Sequence, residues 1–409
     1  MLNCRHALYP RGLRRRAWYH SSSAARSRQV AVPGWRGAQD SNRRLLRPWA
    51  SAMIYTDPLS PAETQKFLSG LFSLADTTLA IEVMRSCNLR CPGCWVGISR
   101  DDLWSAAKHE AIGERLLHDA LAMGRSLGIT KLSLLGGEPT LHPNLDGIIK
   151  GARAAGYERI SVTTNGVTPH ERLYRVISAG ITNISFSLDG STPEIHDALR
   201  PSPNGRSTFP VTLRNLEMAV AHSVLFGYSV RTNHTIFLDN ILDAEDMIRL
   251  AHGKGVRRVR LHFSMPNDLP DGSGYIDPRL WLRVCHRMEV LRKDLDIEIA
   301  VPLVYGTSQV AQARSKKPSY INLQPDGNIL LCATHARLPD PARRSFAFIE
   351  DGLRIRLNKR SIIFDDEIGG SCCKGVTELV RHMPQKLQSE ITECGGMGCV
   401  ILHSPLDDR

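Results

Sequence analysis

The stretch LAIEVMRSCNLRCPGC, residues 79–94, decides how the rest of the chain is read. A short apolar run of strand character ends at Met84 and passes directly into a Gly/Pro-containing loop that carries Cys87, Cys91 and Cys94. Three thiolates spaced this way can wrap one face of an iron–sulfur cube and leave its fourth iron without a protein ligand. Soft thiolates select iron–sulfur or zinc. A zinc site calls for a fourth Cys or His at compatible spacing, and none lies close by in sequence.

From this stretch onward, apolar runs alternate with helical patterns. Strands are expected at 79–84, 131–135, 159–163, 183–188, 228–237 and 256–263, and helices near 107–127, 144–155, 170–179, 210–223 and 243–253. Strand–helix units of roughly 25–45 residues are those of repeated βα crossovers, hence a parallel sheet with helices outside it. Six units make an open, partial (β/α)6 TIM-like barrel or a doubly wound sheet, and either places its functional loops at the carboxyl ends of the strands. Beyond about residue 265 a helix near 278–293 and a strand in DIEIAVPL precede a less regular tail. In that tail YINLQPDGNILLC reads as a hairpin around its Asp-Gly turn. The expected α/β architecture is therefore a partial barrel over 77–295 and a small Cys-rich α+β extension over 296–409.

The loops after successive strands carry Gly136-Gly137-Glu138-Pro139, then Thr164-Asn165-Gly166, then Ser187-Leu188-Asp189-Gly190, followed by His196-Asp197 and Arg200, and Asn240 after the fifth strand. In this order, and with CxxxCxxC after the first strand, they resemble the radical S-adenosylmethionine (radical SAM) superfamily over about residues 77–265. Each motif alone is an ordinary Gly-rich βα turn; the ordered set is specific. The resemblance implies a 4Fe-4S cluster on the catalytic Cys87, Cys91 and Cys94. It implies SAM contacts from Gly136, Gly137, Glu138, Asn165, Ser187, Asp189 and Arg200, with the Gly-Gly-Glu backbone holding the methionyl amino group. It also implies reductive cleavage of SAM to a 5′-deoxyadenosyl radical that takes hydrogen from a substrate, and an electron donor of flavodoxin or ferredoxin type. One position departs from the family's pattern: the residue before the third cysteine, often aromatic, is Gly93, with Trp95 just beyond.

Gly327 through Cys332 resembles the element that opens the auxiliary-cluster extensions (SPASM and twitch) of many such enzymes. With Cys373, Cys394 and Cys399 it would supply four ligands for one auxiliary cluster; Cys372 competes with Cys373, and free thiols or a zinc site are the alternatives. Cys285, inside a helical pattern, reads as an ordinary thiol.

Ten cysteines, clustered rather than spread through the 409 residues, fit a cytoplasmic metal or redox protein better than a disulfide scaffold. The net charge of +11 is concentrated in a basic leader, residues 1–52. Its first 50 residues hold eleven Arg, no Lys and Asp40 as their sole acid, which leaves about +1 for the remainder. A transit peptide, a disordered tail, or upstream sequence ahead of a start at Met53 each fit that leader. Nucleic acid is not an expected partner, because the body has no positive field. No run approaches the roughly 18 apolar residues of a membrane span.

The sixth strand alternates Arg258, Arg260 and His262 with Val259, Leu261 and Phe263. If the apolar face packs on helices, the basic face lines the barrel mouth, with Arg231 and Asn233 beside it, and selects an anionic small molecule; a solvated edge face is the alternative. The resemblance then points to a sugar-like or nucleoside natural-product intermediate undergoing dehydrogenation, decarboxylation or deoxygenation, an oxidoreductase or lyase reaction of the antibiotic-biosynthesis kind. A peptide-modifying maturase is second.

Overall fold

The alternation expected from residue 79 is realised strand by strand in the computed structural model, which describes residues 57–94, 111–263, 276–301, 320–330, 347–351 and 354–357. In chain order the elements are α1 (Pro61–Leu71), β1 (Thr78–Met84), α2 (Glu114–Ser126), β2 (Lys131–Gly136), α3 (Leu145–Ala154), β3 (Arg159–Thr164), α4 (His170–Ser178) and β4 (Asn183–Ser187). There follow α5 (Pro193–Leu199), α6 (Phe209–Phe226), β5 (Ser229–Ile236), α7 (Ala244–Gly253), β6 (Arg258–Phe263), α8 (Pro278–Asp294) and β7 (Glu298–Ala300). Four further strands close the described part: β8 (Tyr320–Leu323), β9 (Asn328–Leu330), β10 (Ala347–Asp351) and β11 (Arg354–Leu357).

All eleven lie in one open sheet, ordered β11-β10-β9-β8-β1-β2-β3-β4-β5-β6-β7. Strands β1 to β7 run parallel, β8 joins β1 in parallel on the other side, and β9 to β11 extend that side antiparallel. This is a partial TIM-like barrel that does not close. The sheet crosses the expected boundary near residue 295, since β7 pairs with β6 and β8 with β1.

The strands have two unlike faces. Ile81, Leu132, Leu134, Ile160, Val162, Ile184, Phe186, Val259 and Leu261 are at most 1% exposed; they form the core under the crossover helices, which keep Ile149, Ile177, Leu216 and Ile248 equally dry. Period-2 geometry turns the alternate residues inward. Among those are Thr78, Ser133, Ser161, Thr163, Asn183, Ser185, Ser187, Arg231, Asn233, Arg260 and His262, with Ala80, Glu82 and Leu135 beside them, aligned across neighbouring strands by the register. A closed barrel of this kind fills its interior with branched apolar side chains. Here the interior is polar, which suits a lumen that receives a hydrated molecule.

Some local readings change. The helix expected from residue 107 begins at Glu114, because Ala111 bridges to Met84 and Gly113 is the N-cap; residues 107–110 lie outside the described ones. Helix α1 carries a complete capping box, in which Ser60 Oγ accepts from the Glu63 N–H at 3.3 Å and Glu63 Oε2 accepts from the Ser60 N–H at 2.8 Å. Leu59 N–H then donates to Ile355 O at 2.9 Å, so α1 is docked on β11. The hairpin forms as expected, with Gln324–Gly327 turning between β8 and β9 and Gly327 N–H donating to Gln324 O at 3.0 Å. Cys285 is a buried helical residue at 1% exposure. Among the described residues no helix is long and apolar enough to cross a membrane.

Ile81 sits on the covered face of β1, an interior strand of the sheet, whereas Leu242 is 89% exposed. Ile81→Ala should cost about 2–5 kcal/mol of unfolding free energy. Leu242→Ala should stay within about 0.5 kcal/mol of the parent. Denaturant titration checks both.

Candidate functional site

Cys87, Cys91 and Cys94 sit in an irregular loop at the carboxyl end of β1, each partly accessible and none in a disulfide. A backbone turn closes its end, with Cys94 N–H donating to Cys91 O at 3.1 Å. Burial pushes the Cys87 thiol up to about 12, helped by the nearby Glu138 charge, and Cys91 up to about 11, partly offset by Arg200. The bare thiols of Cys87 and Cys91 are therefore neutral at pH 7; the positive charge of bound iron is what would ionise them. Among the described residues no three His, Cys, Asp or Glu side chains converge on a point as a single metal ion requires. Three soft thiolates in one loop are the donor set a cubane takes, each on a different iron. The soft three-sulfur set in one loop fits a cluster.

The loop is held from three sides. From β2, Gly137 N–H donates to Met84 O at 2.7 Å and Glu138 N–H to Ser86 O at 2.8 Å. Gly136 adopts φ 145°, and a Cβ on Gly137 would lie 2.2 Å from Ser86 O, so this approach requires glycine. From β3, Asn165 Nδ2 donates to Asn88 Oδ1 at 2.9 Å and lies 3.8 Å from Cys87 Sγ, while Asn88 Nδ2 donates to Val167 O at 2.6 Å. From the segment after α5, Pro201 O accepts the Arg90 N–H at 2.8 Å.

Glu138 is 1% exposed and accepts from Thr140 N and Oγ1, Thr164 Oγ1 and Asn165 N at 3.1, 2.7, 2.7 and 2.7 Å. Burial raises its pKa and these donors oppose the rise. The sequence reading expects a SAM contact from the Gly-Gly-Glu backbone; the Glu138 carboxylate itself is engaged with the protein and ties the β2 loop to the β3 turn. Asp189 is similar. Its Oδ2 accepts from Arg200 Nε at 2.6 Å and its Oδ1 from Thr235 N at 2.6 Å, at 2% exposure. Ser187 faces the lumen beside Asn233, and Arg200 stands by the cysteine loop with its charge acting on Cys91 and Cys94. The structure thus gathers Cys87, Cys91, Cys94, Gly136, Gly137, Glu138, Asn165, Asp189 and Arg200 at one end of the barrel. Cys332, Cys372, Cys373, Cys394, Cys399 and Trp95 lie outside the described residues.

Three supporting residues had little or no sequence signal. Thr212 and Asn215, on the inner side of α6, hold the β3 turn: Thr212 Oγ1 donates to Asn165 O at 3.0 Å, and Asn215 Nδ2 donates to Gly166 O and Thr168 O at 2.8 and 2.9 Å. Both read as ordinary helix positions. Glu82 is the third. It lies on the inner face of β1 at 2% exposure, hydrogen-bonded to Gln324, under the Arg85–Asp326 ion pair at 2.6 Å. Burial raises its pKa to about 7 against the pull of Arg85. Its signal was a lone carboxylate inside an apolar strand.

On the lumen wall, Arg260 and His262 of β6 stand beside Asn233 and Thr235 of β5, with Arg231 one step down. Burial, then the charges of Arg260 and Arg231, push His262 down to about 3, so it is a neutral imidazole at pH 7. Arg258 shares this face but pairs with Glu298 at 3.0 Å.

The sequence model described as the radical SAM superfamily matches residues 81–251, from β1 through α7. An AdoMet-dependent heme synthase of Methanosarcina barkeri is 25% identical over 245 residues, 59% of this chain and 66% of that protein. A GTP 3',8-cyclase of Staphylococcus saprophyticus is 26% identical over 231 residues, 56% of this chain and 65% of that protein. The chain thus spans just under two thirds of the length of these two curated relatives. Among solved structures, native anSMEcpe with bound AdoMet shares the fold, with a TM-score of 0.55 at 13% identity, covering 77% of this chain and 88% of that one.

Two outcomes follow from this geometry. Gly137→Ala should push the β2 loop off Ser86 and lower the iron retained per chain after anaerobic reconstitution, with the folded fraction by circular dichroism unchanged. For Glu82, a folded-state pKa raised from 4.5 to about 7 means that stability falls as pH climbs through that window and is lowest above it. Glu82→Gln removes a penalty of about 3 kcal/mol at most. It should raise the melting temperature at pH 8, and the gain should fade toward pH 5.

Proposed function

We propose, on the premise that residues 81–251 are a radical SAM domain, that this enzyme cleaves S-adenosylmethionine reductively and takes hydrogen from an anionic, polar substrate of sugar-like or nucleoside type. Cluster and SAM, when bound, supply the chemistry: an electron from a flavodoxin- or ferredoxin-type donor releases a 5′-deoxyadenosyl radical that takes the hydrogen. The chain's own part is to hold, orient and enclose. Cys87, Cys91 and Cys94 hold the cluster. The backbone at Gly136 and Gly137, packed on the residues just before Cys87, stands where the methionyl end would dock. Asn165, Ser187 and Arg200 border the remainder of the cofactor. Glu138 and Asp189 set the positions of these groups through the bonds described above.

The observation that carries the substrate class is the inner face of β5 and β6. Arg231 and Arg260 flank a neutral His262 there, inside a lumen lined by Ser, Thr and Asn. Guanidinium groups in such a setting hold carboxylate or phosphate bidentately, and a neutral imidazole adds a directional hydrogen bond. The Ser, Thr and Asn hydroxyls and amides suit a polyhydroxylated body better than an apolar one. Dehydrogenation, decarboxylation and deoxygenation of a natural-product intermediate are all compatible with this wall. The reaction is placed in the cytoplasm, where thiols stay reduced. An auxiliary cluster on Cys332, Cys373, Cys394 and Cys399 belongs to the same proposal.

The reconstituted protein should release 5′-deoxyadenosine from SAM with dithionite, and the Cys87/Cys91/Cys94 triple Ala variant should release none; cleavage by that variant overturns the reading. Iron content separates the auxiliary cluster: about eight irons with it and about four without, each falling by about four in the triple variant. Anionic sugars and nucleotides should stimulate release, and neutral analogues should not. Arg260→Ala should raise KM for the stimulating compound about tenfold or more while leaving substrate-free cleavage intact. Stimulation by peptides alone would favour a peptide maturase instead.

A further inference from the structure

We propose that Asp326 is a positioning residue of the SAM site: through Arg85 it holds the chain between β1 and Cys87 against the Gly136–Gly137 backbone. This rests on the radical SAM reading of that backbone and adds to it a working role for the β8–β9 hairpin, whose tip lies 241 residues from Arg85 in the chain.

The β2 loop rests on the backbone of residues 84–86. Gly137 N–H donates to Met84 O at 2.7 Å and Glu138 N–H to Ser86 O at 2.8 Å. A Cβ on Gly137 would lie 2.2 Å from Ser86 O and 2.5 Å from Arg85 O. Any displacement of Arg85 or Ser86 is therefore passed directly to the backbone where the methionyl end would dock. The β1–β2 ladder does not prevent it, because its register shifts between Glu82 and Met84 and its last pair is Met84 with Gly136. Whatever fixes Arg85 has to come from elsewhere.

It comes from the hairpin. Arg85 Nη2 lies 2.6 Å from Asp326 Oδ2, and Asp326 Oδ1 accepts from Asn328 N–H at 3.1 Å. Both carboxylate oxygens are thus engaged, and the group cannot turn without losing a bond. The turn that carries it is closed on itself and on the next strand. Gln324 N–H donates to Asn328 O at 2.9 Å, Gly327 N–H to Gln324 O at 3.0 Å, and Ile349 N–H of β10 to Gly327 O at 3.0 Å. Gly327 adopts φ 86°, and a Cβ there would lie 2.9 Å from Phe348 Cε2, so the position requires glycine. The hairpin is seated on β1 as well: Ile81 stands opposite Leu323, and one residue on, the Gln324 side chain hydrogen-bonds the Glu82 carboxylate. Side-chain exposure is 25% for Arg85 and 33% for Asp326, so the pair adds little to folding stability. Its effect is on orientation, since it ties the first residue past β1 to a rigid turn.

The test uses the full-length chain and two readouts. In the iron-free protein, hydrogen–deuterium exchange of the peptide carrying Gly137 and Glu138 should be faster in Asp326→Asn than in the parent, with the peptide carrying β5 unchanged. In the anaerobically reconstituted protein, Asp326→Asn should raise KM for SAM about threefold to fivefold in 5′-deoxyadenosine release and leave kcat within about twofold. Asp326→Glu, which keeps the charge, should stay nearer the parent in both readouts. Arg85→Gln should match Asp326→Asn, and the double variant should be no worse than either single one, because the two side chains act as a unit. Unchanged exchange at Gly137 and Glu138, or KM effects that multiply in the double variant, overturn the proposal. If Arg85→Gln does not fold, the comparison of Asp326→Asn with Asp326→Glu decides. A parent protein that cleaves no SAM overturns the radical SAM reading itself, and the exchange experiment still decides whether Asp326 holds the β2 loop.

Discussion

A loop that carries Cys87, Cys91 and Cys94 without regular secondary structure cannot hold its own shape, and the mouth of the barrel is built around that constraint. Residues 85–94 have no repeating backbone pattern of their own beyond one turn at Cys91–Cys94. Their geometry is borrowed from the ends of neighbouring strands. The β2 loop continues the ladder of β1 past its last regular pair, the β3 turn clasps Asn88, and the segment after α5 takes the N–H of Arg90. Each contact uses a short polar side chain or bare backbone, because anything longer would occupy the space that a cofactor needs. The burial of Glu138 is the cost of this arrangement. Four donors offset it, and charge-assisted bonds of that kind are the strong ones in a site of low dielectric.

The same strands that aim the loop also define what lies beneath it. Parallel sheets covered on both faces read as continuous apolar runs, and this one does not. Its outer face is dry enough for helix packing, while its inner face is serine, threonine, asparagine and arginine. The asymmetry is what kept the strands recognisable in the sequence. It is also what makes the open barrel a receptacle rather than a packed core. The legible fold and the polar inner face therefore share one cause, the period-2 division of each strand.

How far the sequence could be read follows from that cause. The six crossover strands were legible because alternation and Gly-rich turns are local signals, and the cysteine loop because its ligands are close together in the chain. The α1 capping box was written plainly in Ser60 and Glu63, yet nothing local says that the helix it begins docks on β11. Nor does anything local say that β8 lies parallel to β1, since that pairing joins residues far apart in the chain. Thr212 and Asn215 stayed hidden because their role depends on which loop the inner side of α6 meets. Glu138 and Asp189 stood out in the sequence by their motifs, but spacing does not show that each carboxylate also holds the residues around it.

Protons at this site are distributed in a way that separates two kinds of control. Burial and arginine charges keep His262 on the inner face, and His196 and His234 packed behind it, neutral well below pH 6. They do not titrate in the physiological range, and the positive field on β5 and β6 comes from guanidinium groups that do not titrate either. Glu82 differs: its pKa of about 7 places its charge change near neutrality, with Gln324, Arg85 and Asp326 as its immediate surroundings. Glu82 therefore places a proton-dependent group near pH 7 on β1 beside the β8–β9 turn, across the sheet from the arginines. The charge of those arginines then stays constant with pH, while the contact between the barrel's first strand and its carboxyl-terminal hairpin responds to it.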